Sequence, residues 1–492
     1  MGVQAEWDVG TNARRIGDLP GPRGLPLLGN ALQIPRERMH LQLERWSRQY
    51  GEVFTFRLGT RRFVVFSNPD AVACILRDRP EGFRRTRRLE EGAREVGFGG
   101  LFSSNGEDWK RQRSMVLSGL DPTHVKAFFP TLVKVTERLA QRWRGAAARK
   151  EAIDLQSDLM RYTVDVTAGL AFGADINTIE SHEEIIQTHL DKVLPAVFRR
   201  LFAAFPYWRY VKLPADRELE RHLLALRGAV TGFIADARKR LDQHPQRREQ
   251  PTNLIEAMVA ERDRKDSKLT DEDVSGNVLT MLLAGEDTTA NTLAWLIWLL
   301  HKNPQARQRA VEEVRAISGP DRPVQHPAQL AQLEYVEACA HEAMRLKPVA
   351  PFLVLQAGRD TAVGGVFLPV GTLAICLMRP ATLDERNFPE PLAFRPERWL
   401  REATSAAPTS AKRIAMPFGA GPRMCPGRYL ALAEIKMVAA MLLACFDIES
   451  VATPDGSEAQ ERLPFTMSPT GLKMQLRSHE SRRVAGHTAS SP

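Results

Sequence analysis

One cysteine, Cys425, lies in a loop rich in glycine and proline that leads directly into an apolar helical pattern over residues 429–446. The loop, residues 418–427, reads Phe-Gly-Ala-Gly-Pro-Arg-Met-Cys-Pro-Gly. Its glycines allow the backbone to come close to a large, flat ligand. The helix start places free N–H groups and a positive dipole end beside the sulfur, which favours a thiolate over a thiol. The loop therefore predicts a thiolate ligand.

The pattern Phe-x-x-Gly-x-Arg-x-Cys-x-Gly is filled by Phe418, Gly421, Arg423, Cys425 and Gly427. It resembles the haem-binding loop of the cytochrome P450 monooxygenases. A thiolate is a good axial ligand of haem iron. The resemblance implies that Cys425 ligates the iron of haem b and that Arg423 neutralises an anionic group of the same cofactor. Taken alone, the loop also allows a buried structural cysteine beside a helix cap.

Length and composition favour one large domain. The chain has 492 residues, 43% of them hydrophobic, and no linker or internal repeat divides its middle. This is ample for a large core. We expect the family's haem domain over 19–478 and disorder at 1–18, around 402–411 and at 479–492. The five cysteines are scattered and odd in number, which excludes a disulfide framework or a zinc site and fits a reducing compartment.

Helical patterns predominate along the chain. A β-hairpin is predicted at 52–66, short strands at 353–376 and a closing hairpin at 463–477. Helices are predicted at about 69–78, 108–117, 123–148, 154–173, 182–203, 214–243, 252–263, 271–302, 304–317, 328–346 and 427–446. This mainly α pattern with a minor β region matches the cytochrome P450 fold over nearly the whole chain.

No targeting segment is visible. The first 18 residues are polar and charged, without an apolar stretch. Residues 19–30 resemble the proline-rich hinge that follows the membrane anchor in membrane-bound family members, without that anchor. The longest apolar segment, Val274–Leu300, contains Asn277, Glu286, Asp287 and Asn291, which a lipid-spanning helix tolerates poorly. We expect a soluble, cytoplasmic, bacterial protein with no integral membrane anchor.

The charge balance is basic, with 68 lysines and arginines against 59 acidic residues and a net charge of +9. No nucleic-acid-binding motif accompanies it, so an acidic protein partner is favoured over nucleic acid. No reductase domain follows the last predicted strand, and the resemblance therefore implies a separate ferredoxin or flavodoxin-type electron donor. A generally solvated basic surface is the alternative. The basic residues flanking the haem-face motifs are Lys110, Arg111, Arg413, Arg428 and Lys436.

An acidic pair and two threonines interrupt the apolar helix at residues 284–289, Ala-Gly-Glu-Asp-Thr-Thr. Burying such groups is costly without a reason, and a threonine hydroxyl can bond back to the i−4 carbonyl. The segment resembles the oxygen-activation motif of the family. By that resemblance Thr288 holds and protonates the bound oxygen and Asp287 supplies protons. Ala284 and Gly285 are expected to border the cofactor, and Gly285 leaves room beside it. A kinked helix with Glu286 and Asp287 in surface ion pairs is the alternative.

Two further motifs resemble family elements that support the haem. Glu342 and Arg345 lie at i and i+3 on one helix face. With Arg398 of the Phe-Arg-Pro-Glu-Arg-Trp segment at 394–399 they resemble a buried Glu-Arg-Arg network that fixes the cysteine loop. The alternative is a plain surface ion pair.

Trp109 and Arg113, four residues apart on one helix face, resemble the pair that binds a haem propionate. Arg423 would meet the other propionate, and Arg85 is a further candidate. Many family members supply another arginine or histidine from the strand near Leu355, and none is found there in this sequence. A basic amphipathic helix face is the alternative reading of residues 109–113.

The resemblance also implies where the substrate lies. The expected walls are mainly apolar, which selects lipophilic substrates. Arg61 and Arg62 on the first hairpin are candidates for holding a carboxylate at a channel mouth. The expected pocket residues are Phe98, Phe102, Leu283, Ala284, Ala350, Phe352, Phe465 and Met467.

Together these motifs resemble a haem-thiolate monooxygenase that hydroxylates or epoxidises a lipophilic small molecule such as a fatty acid, terpenoid, steroid or aromatic compound, using O2. One alternative is a peroxide-using or isomerising haem-thiolate enzyme, against which the intact Asp287 and Thr288 argue. The other is a haem-based gas sensor, which would need an output module that the sequence does not show.

Overall fold

The computed structural model describes residues 13–120, 122–181, 185–203, 205–400 and 411–479. Within these ranges helices dominate and the strands form four small sheets. The predicted mainly α fold with a minor β region is confirmed.

The helices follow one another along nearly the whole chain, and we number them in chain order. They are α1 (Met39–Tyr50), α2 (Pro69–Arg77), α3 (Arg87–Glu95), α4 (Gly106–Gly119), α5 (Pro122–Ala127), α6 (Phe129–Arg149), α7 (Leu155–Phe172), α8 (Ile185–Phe202), α9 (Pro214–Gln243), α10 (Leu254–Arg262), α11 (Asp271–Lys302), α12 (Pro304–Ser318), α13 (Pro327–Gln332), α14 (Glu334–Leu346), α15 (Arg379–Thr382), α16 (Ala411–Ala415) and α17 (Arg428–Cys445).

The strands are short. They are β1 (Val53–Leu58), β2 (Arg61–Phe66), β3 (Phe83–Arg85), β4 (Ile153–Asp154), β5 (Phe352–Ala357), β6 (Thr361–Val363), β7 (Val366–Leu368), β8 (Leu373–Leu377), β9 (Phe446–Ala452), β10 (Glu461–Arg462), β11 (Ser468–Pro469) and β12 (Lys473–Ser478).

The largest sheet has the order β1-β2-β8-β5-β3 and brings together strands far apart in sequence. β1 and β2 form the predicted antiparallel hairpin, with Leu58 opposite Arg61 across a tight turn. β2 then pairs in parallel with β8, and β5 pairs with both β8 and β3. Arg61 begins β2, next to the edge strand β1, and Arg85 ends the opposite edge strand, β3.

Helix α11 runs through the main core. Thr270 caps its first turn, because its hydroxyl accepts the N–H of Asp273 and the Asp273 carboxylate accepts the N–H of Thr270. Its middle is buried on nearly all sides against α7, α14 and α17, as expected of a helix that is apolar all round. The two helices that carry the motifs, α11 and α17, therefore pack directly against each other.

Several element predictions need correction. The predicted helix 123–148 divides into α5 and α6, because Pro130 lacks an N–H and fits the first turn of a new helix. The predicted helix 328–346 divides at Leu333, whose backbone is not helical. Helices α1 and α3 were not predicted.

The predicted closing hairpin at 463–477 is wrong in its pairing. β12 pairs with β9, directly after α17, and with β4. β10 and β11 form a separate two-stranded pair. The partner of a strand depends on contacts far along the chain, which local alternation does not reveal.

Part of the first segment predicted to be disordered makes backbone hydrogen bonds. The N–H of Arg14 donates to the carbonyl of Gly365 at 3.0 Å, and the N–H of Phe367 donates to that of Arg14 at 3.0 Å. Residues 16–18 form a short 3₁₀ turn. At the other end Nδ1 of His479 lies 2.9 Å from the carbonyl oxygen of Ala444, which accepts its hydrogen bond. The remaining predicted disorder, at 1–12, most of 402–411 and 480–492, lies outside the described residues.

Candidate active site

The Cys425 loop is closed by backbone hydrogen bonds before α17 begins. The N–H of Cys425 donates to the carbonyl of Phe418 at 2.9 Å, and the N–H of Met424 donates to that of Gly421 at 3.1 Å. Gly427 is the residue that precedes α17, and its N–H donates to the sulfur of Cys425. The helix start therefore does meet the sulfur through a free N–H group, as the sequence predicts.

The protonation of Cys425 reflects two opposing effects. Burial raises the pKa of the Cys425 thiol and is the largest of them. The Gly427 N–H and the charges of Arg113 and Arg428 lower that pKa. The helix start therefore lowers the pKa of Cys425, as expected, but burial raises that pKa by more. Coordination to a metal ion would deprotonate the thiol.

Gly421 serves the packing of the loop. Its φ is +71°, and a Cβ on it would lie 2.7 Å from the Cα of Arg77 and from the carbonyl oxygen of Leu76. The glycine is required because the loop lies directly on α2. The approach of a flat ligand to this loop stays a prediction. A Cβ on Gly427 would lie 4.0 Å from the Cys425 sulfur, an ordinary contact.

Four partly or fully buried arginines gather beside this loop. They donate mainly to backbone carbonyls, and within the described part of the chain none forms an ion pair with a carboxylate. The bonds are Arg79 to Leu76 and Ala420, Arg85 to Phe102, Arg113 to Met424, and Arg423 to Leu101, Ser104 and the Asn105 side chain.

The electrostatic cost of this arginine cluster is visible in its pKa values. Burial, together with the charges of Arg79 and Arg113, lowers the pKa of Arg423 to about 9. Burial likewise lowers the pKa of Arg79 to about 10 and that of Arg85 well below its usual value. Like charges held together away from water need an anion to balance them, so this cluster suits a ligand that carries carboxylates.

Trp109 and Arg113 both reach this cluster from α4. The guanidinium of Arg423 lies 4.9 Å from the centre of the Trp109 ring, and Arg113 donates to the carbonyl of Met424 at 2.7 Å. Arg85 lies directly opposite Leu355 in the β3–β5 pair. The sequence has no arginine or histidine near Leu355 on β5. Arg85 of the neighbouring strand β3 supplies a cation beside that position instead.

On α11, the turn from Ala284 to Thr288 borders accessible space. Ala284 is exposed although most of the surrounding helix is buried. The Thr288 hydroxyl donates to the carbonyl of Ala284 at 2.9 Å, the predicted i−4 bond. The helix remains continuous from Asp271 to Lys302, so this bond does not break it.

Gly285 faces away from this space. A Cβ on Gly285 would lie 2.3 Å from the hydroxyl oxygen of Thr167 on α7. The glycine allows α11 and α7 to pack closely, which corrects the expectation that its missing side chain leaves room for the cofactor. Ala284 and Thr288, and not the missing side chain of Gly285, border the accessible space at this turn.

Asp287 is held by hydrogen bonds. The Thr466 hydroxyl donates to its carboxylate, and Nδ2 of Asn291 donates to the other oxygen at 2.6 Å. Burial raises the pKa of Asp287 more than these bonds lower it. Glu286 is buried as well, with 1% of its surface exposed. This burial argues against exposed ion pairs on the protein surface, the alternative left open by the sequence.

Glu342, Arg345 and Arg398 meet in the predicted network. Arg345 makes two bonds of 2.8 Å to the Glu342 carboxylate, and both side chains are fully enclosed. Arg398 adds a bond of 3.3 Å and the Trp399 indole one of 2.9 Å. A plain surface ion pair is excluded by this burial. The remaining donors of Arg345 bond the carbonyls of Thr382, Pro391 and Ala393.

An aromatic cluster joins several expected pocket residues. Phe98 contacts Phe102, which contacts Phe465, with ring centres 6.1 and 6.3 Å apart. Two phenylalanines of α8 that were not singled out from the sequence extend the cluster to Phe352. The further ring contacts are Phe465–Phe198, Phe198–Phe202 and Phe202–Phe352.

Other expected site residues lie elsewhere. Leu283 and Met467 have 1% and 0% of their surface exposed and pack in the main core, so they do not border an open pocket. Ala350 is exposed. Lys436 is buried and bonds Glu337 at 2.8 Å, which corrects its assignment to a surface for an acidic partner.

No helix within the described ranges has the length and apolar character needed to cross a membrane.

The sequence model of the cytochrome P450 family matches residues 19–476. The chain is 25% identical over 480 residues to cytochrome P450 3A30 of Fundulus heteroclitus, covering 96% of this chain and 92% of that protein. It is 27% identical over 454 residues to the mitochondrial 25-hydroxyvitamin D-1 alpha hydroxylase of Mus musculus, covering 88% and 87%.

A third relative is longer. The chain is 25% identical over 487 residues to a self-sufficient cytochrome P450 monooxygenase of Aspergillus terreus, covering 95% of this chain and 44% of that protein. The chain thus spans less than half the length of this relative. The matched family implies a haem-thiolate cofactor. The chain belongs to the cytochrome P450 family, whose members are monooxygenases.

Proposed function

We propose that this protein inserts one oxygen atom of O2 into a lipophilic small molecule. The balanced reaction is R–H + O2 + 2 electrons + 2 H⁺ → R–OH + H2O. The observation that carries the proposal is the convergence of the Cys425 loop with the arginine cluster. A cysteine ligand beside a group of arginines that form no ion pair with a carboxylate among the described residues fits a cofactor that has an iron centre and two carboxylates.

The cofactor that fits these residues is haem b. Cys425 would ligate its iron, and Trp109, Arg113, Arg423 and Arg85 would receive its propionates. Arg79 is a further candidate, because it belongs to the same cluster and bonds the loop at Ala420. The haem supplies O2 binding and O–O bond cleavage when bound.

The α11 turn supplies protons. The Thr288 hydroxyl lies at the accessible turn and is oriented by its bond to Ala284. Asp287 is the adjacent carboxyl, and its raised pKa keeps a larger fraction of it protonated than an exposed aspartate would be. We assign Thr288 the donation of a proton at the reacting oxygen and Asp287 its resupply.

Replacing Thr288 by alanine is expected to divert electrons into peroxide. Product formed per NAD(P)H consumed should fall by about tenfold or more, because the positioned proton donor is lost. The matched control is Thr292→Ala, since Thr292 makes the same i−4 bond one turn on, at 2.8 Å to Thr288. Product and hydrogen peroxide are measured against cofactor consumption. Equal coupling in both variants would remove Thr288 from the proton relay.

We propose that electrons come from a separate acidic donor of the ferredoxin or flavodoxin type, docking beside the Cys425 loop. Arg428 follows the loop, and Tyr429 beside it is 40% exposed. Lys110 and Arg111 lie on α4 next to Arg113 but are paired with Glu107 and Asp108. Arg428 has no such carboxylate partner among the described residues, so we expect it to contribute most.

Changing Lys110, Arg111 and Arg428 together to glutamate should slow reduction by an acidic ferredoxin by about tenfold or more at low salt. The effect should shrink as salt is raised, because exposed charges are screened. The control reverses three exposed charges on α8 and α9, Lys192, Arg199 and Arg221. Stopped-flow reduction is the measurement, and similar rates for both triple variants at low salt would contradict the docking surface.

The function itself is tested by labelled oxygen. Purified protein is supplied with NAD(P)H and surrogate redox partners, and products from a lipophilic substrate library are analysed by mass spectrometry under ¹⁸O2. One labelled oxygen atom in the product is expected. Product formation with hydrogen peroxide but not with O2 and NAD(P)H would favour the peroxide-using alternative and overturn the proposal.

A further inference from the structure

The turn at residues 463–467, which joins β10 to β11, is fastened to the rest of the protein at both ends. The N–H of its first residue donates to the carbonyl of Glu37 at 2.7 Å, and the N–H of its last residue donates to the carbonyl of Val349 at 2.7 Å. Thr466 lies between these two bonds and is buried. The backbone from which the Thr466 side chain projects is therefore fixed in place.

Buried charges also hold β10, the strand that leads into this turn. The carboxylate of Glu461 accepts hydrogen bonds from Arg379 at 2.8 Å and Lys347 at 2.6 Å, and it lies 3.0 Å from Nε2 of His40. Arg379 makes two further bonds to Glu44 of α1, at 2.8 and 2.9 Å. Charge-assisted bonds of this kind are strong, and they give the turn the rigidity that a precisely placed side chain needs.

The Thr466 side chain reaches from this turn to the acid on α11. Its hydroxyl donates to one carboxylate oxygen of Asp287. The other oxygen accepts Nδ2 of Asn291 at 2.6 Å, and the same nitrogen lies 3.3 Å from the Thr466 oxygen. Nε2 of Gln156 on α7 donates to Oδ1 of Asn291 at 3.0 Å, which keeps the N–H side of the Asn291 amide towards Asp287. Three separate elements thus hold one carboxyl group.

The two partners of Asp287 differ in what they can do when the carboxyl changes its ionisation. The amide nitrogen of Asn291 can only donate, whereas a hydroxyl can both donate and accept. When Asp287 is ionised, the Thr466 hydroxyl donates to it. When Asp287 is protonated, the hydroxyl can rotate and accept the carboxyl proton. Thr466 therefore offers the acid a hydrogen bond in both of its ionisation states.

The pKa of Asp287 is set by burial, which raises it, and by the bonds from Thr466 and Asn291, which lower it. Glu286, one residue before, is buried as well. The titratable groups on neighbouring elements have other partners, namely Glu434 with Thr289, Tyr162 with Thr136, Glu342 with Arg345 and Glu461 with Arg379. The bond from Thr466 is therefore one of two that oppose the effect of burial on this carboxyl.

We propose that Thr466 is a positioning residue of the proton-supplying acid, and that its hydroxyl holds the Asp287 carboxyl in one orientation as the proton leaves and returns. This rests on the proposed monooxygenase function and adds a residue to its proton supply. In each donation Asp287 loses one proton towards Thr288 and takes one back from solvent. Thr466 keeps its own proton throughout and only rotates.

A purely structural role for Thr466 makes a different prediction. The hydroxyl would then serve only to satisfy a buried carboxylate and to hold the turn against α11. Its removal would lower the stability of the protein and leave the coupling of electron use to product formation unchanged. A positioning role instead predicts a loss of coupling that any side chain with the hydroxyl restores.

The first test is an infrared titration of the haem-loaded protein without O2 or reductant. The carbonyl band of protonated Asp287 is identified as the band that Asp287→Asn lacks. In Thr466→Val, which keeps the shape of threonine, its titration midpoint should move to higher pH, because a hydrogen bond to the ionised carboxylate is the stronger one and is lost. Thr466→Ser should keep the midpoint of the unmodified protein.

The control is Thr470→Val. It removes a hydroxyl that follows the same turn and donates to the carbonyl of Gln460 at 3.0 Å, and it should leave the midpoint unchanged. Under turnover, product formed per NAD(P)H should fall about three- to tenfold in Thr466→Val, the effect of one net hydrogen bond. Hydrogen peroxide should rise in its place. Thr466→Ser should regain most of the coupling.

An unchanged infrared midpoint in Thr466→Val would overturn the proposal, and so would a raised midpoint with the coupling of the unmodified protein. If the valine variant does not fold, Thr466→Ala is compared with Thr466→Ser, because these two side chains differ only in the hydroxyl. The infrared titration needs no turnover. A protein that forms no product while its midpoint responds to Thr466 would instead reject the proposed function, so the two failures are distinguishable.

Discussion

The Cys425→Ala variant is expected to lose haem-thiolate ligation and all O2-dependent product formation. Alanine offers no ligand, and the Gly427 N–H that meets the sulfur has no partner in its place. The arginine cluster remains, so some haem can still associate through its propionates. Haem content after gel filtration and product formation are measured together, and we expect residual haem with product below detection.

The matched control is Cys445→Ala. Cys445 is the last residue of the same helix, α17, and is buried in the core. Its truncation should cost about 1 kcal/mol of stability or less, the value of a small lost buried group, and leave haem content and activity intact. Full activity of Cys425→Ala would show that another group ligates the iron and would end the assignment of this loop.

The Glu342→Gln variant should lose about 3–5 kcal/mol of stability, the usual consequence of removing one partner of a buried ion pair. Arg345 is fully enclosed, and Glu342 is its sole carboxylate in ion-pair contact among the described residues. The same carboxylate also accepts the Arg398 guanidinium and the Trp399 indole. We therefore expect a lower unfolding midpoint in urea, together with weaker haem retention because the network braces the region before the cysteine loop.

The control for this change is Glu37→Gln. Glu37 pairs with Arg462, and both side chains are more than half exposed, so its loss should cost about 1 kcal/mol or less. Urea unfolding followed by circular dichroism gives both midpoints. Similar small shifts for the two variants would contradict a supporting role for the Glu342 network.

Local sequence patterns were sufficient to single out the residues to which the proposed function assigns the chemistry. The Cys425 loop, the Thr288 turn and the Glu342 helix each consist of contiguous residues with a recognisable spacing. Helix α9 could also be delimited as Pro214–Gln243 from its pattern alone, because helical hydrogen bonds are local. The family membership and the mainly α fold follow from these elements.

Features that depend on contacts distant in sequence could not be predicted. The register that places Arg85 opposite Leu355 joins strands about 270 residues apart. Glycine is needed at position 285 because α11 packs closely on α7, and at position 421 because the cysteine loop lies on α2. The sequence around each glycine does not reveal these contacts. The burial of Lys436 likewise depends on Glu337 of another helix.

The most direct test of the central claim is the carbon monoxide difference spectrum of the dithionite-reduced protein. The account predicts a Soret band at the long-wavelength position that a thiolate ligand gives. A band at the shorter wavelength typical of histidine or neutral thiol ligation, in protein whose fold is verified by circular dichroism, would contradict it. Cys425 would then not be a thiolate ligand of the iron, and the proposed monooxygenase reaction would not be supported.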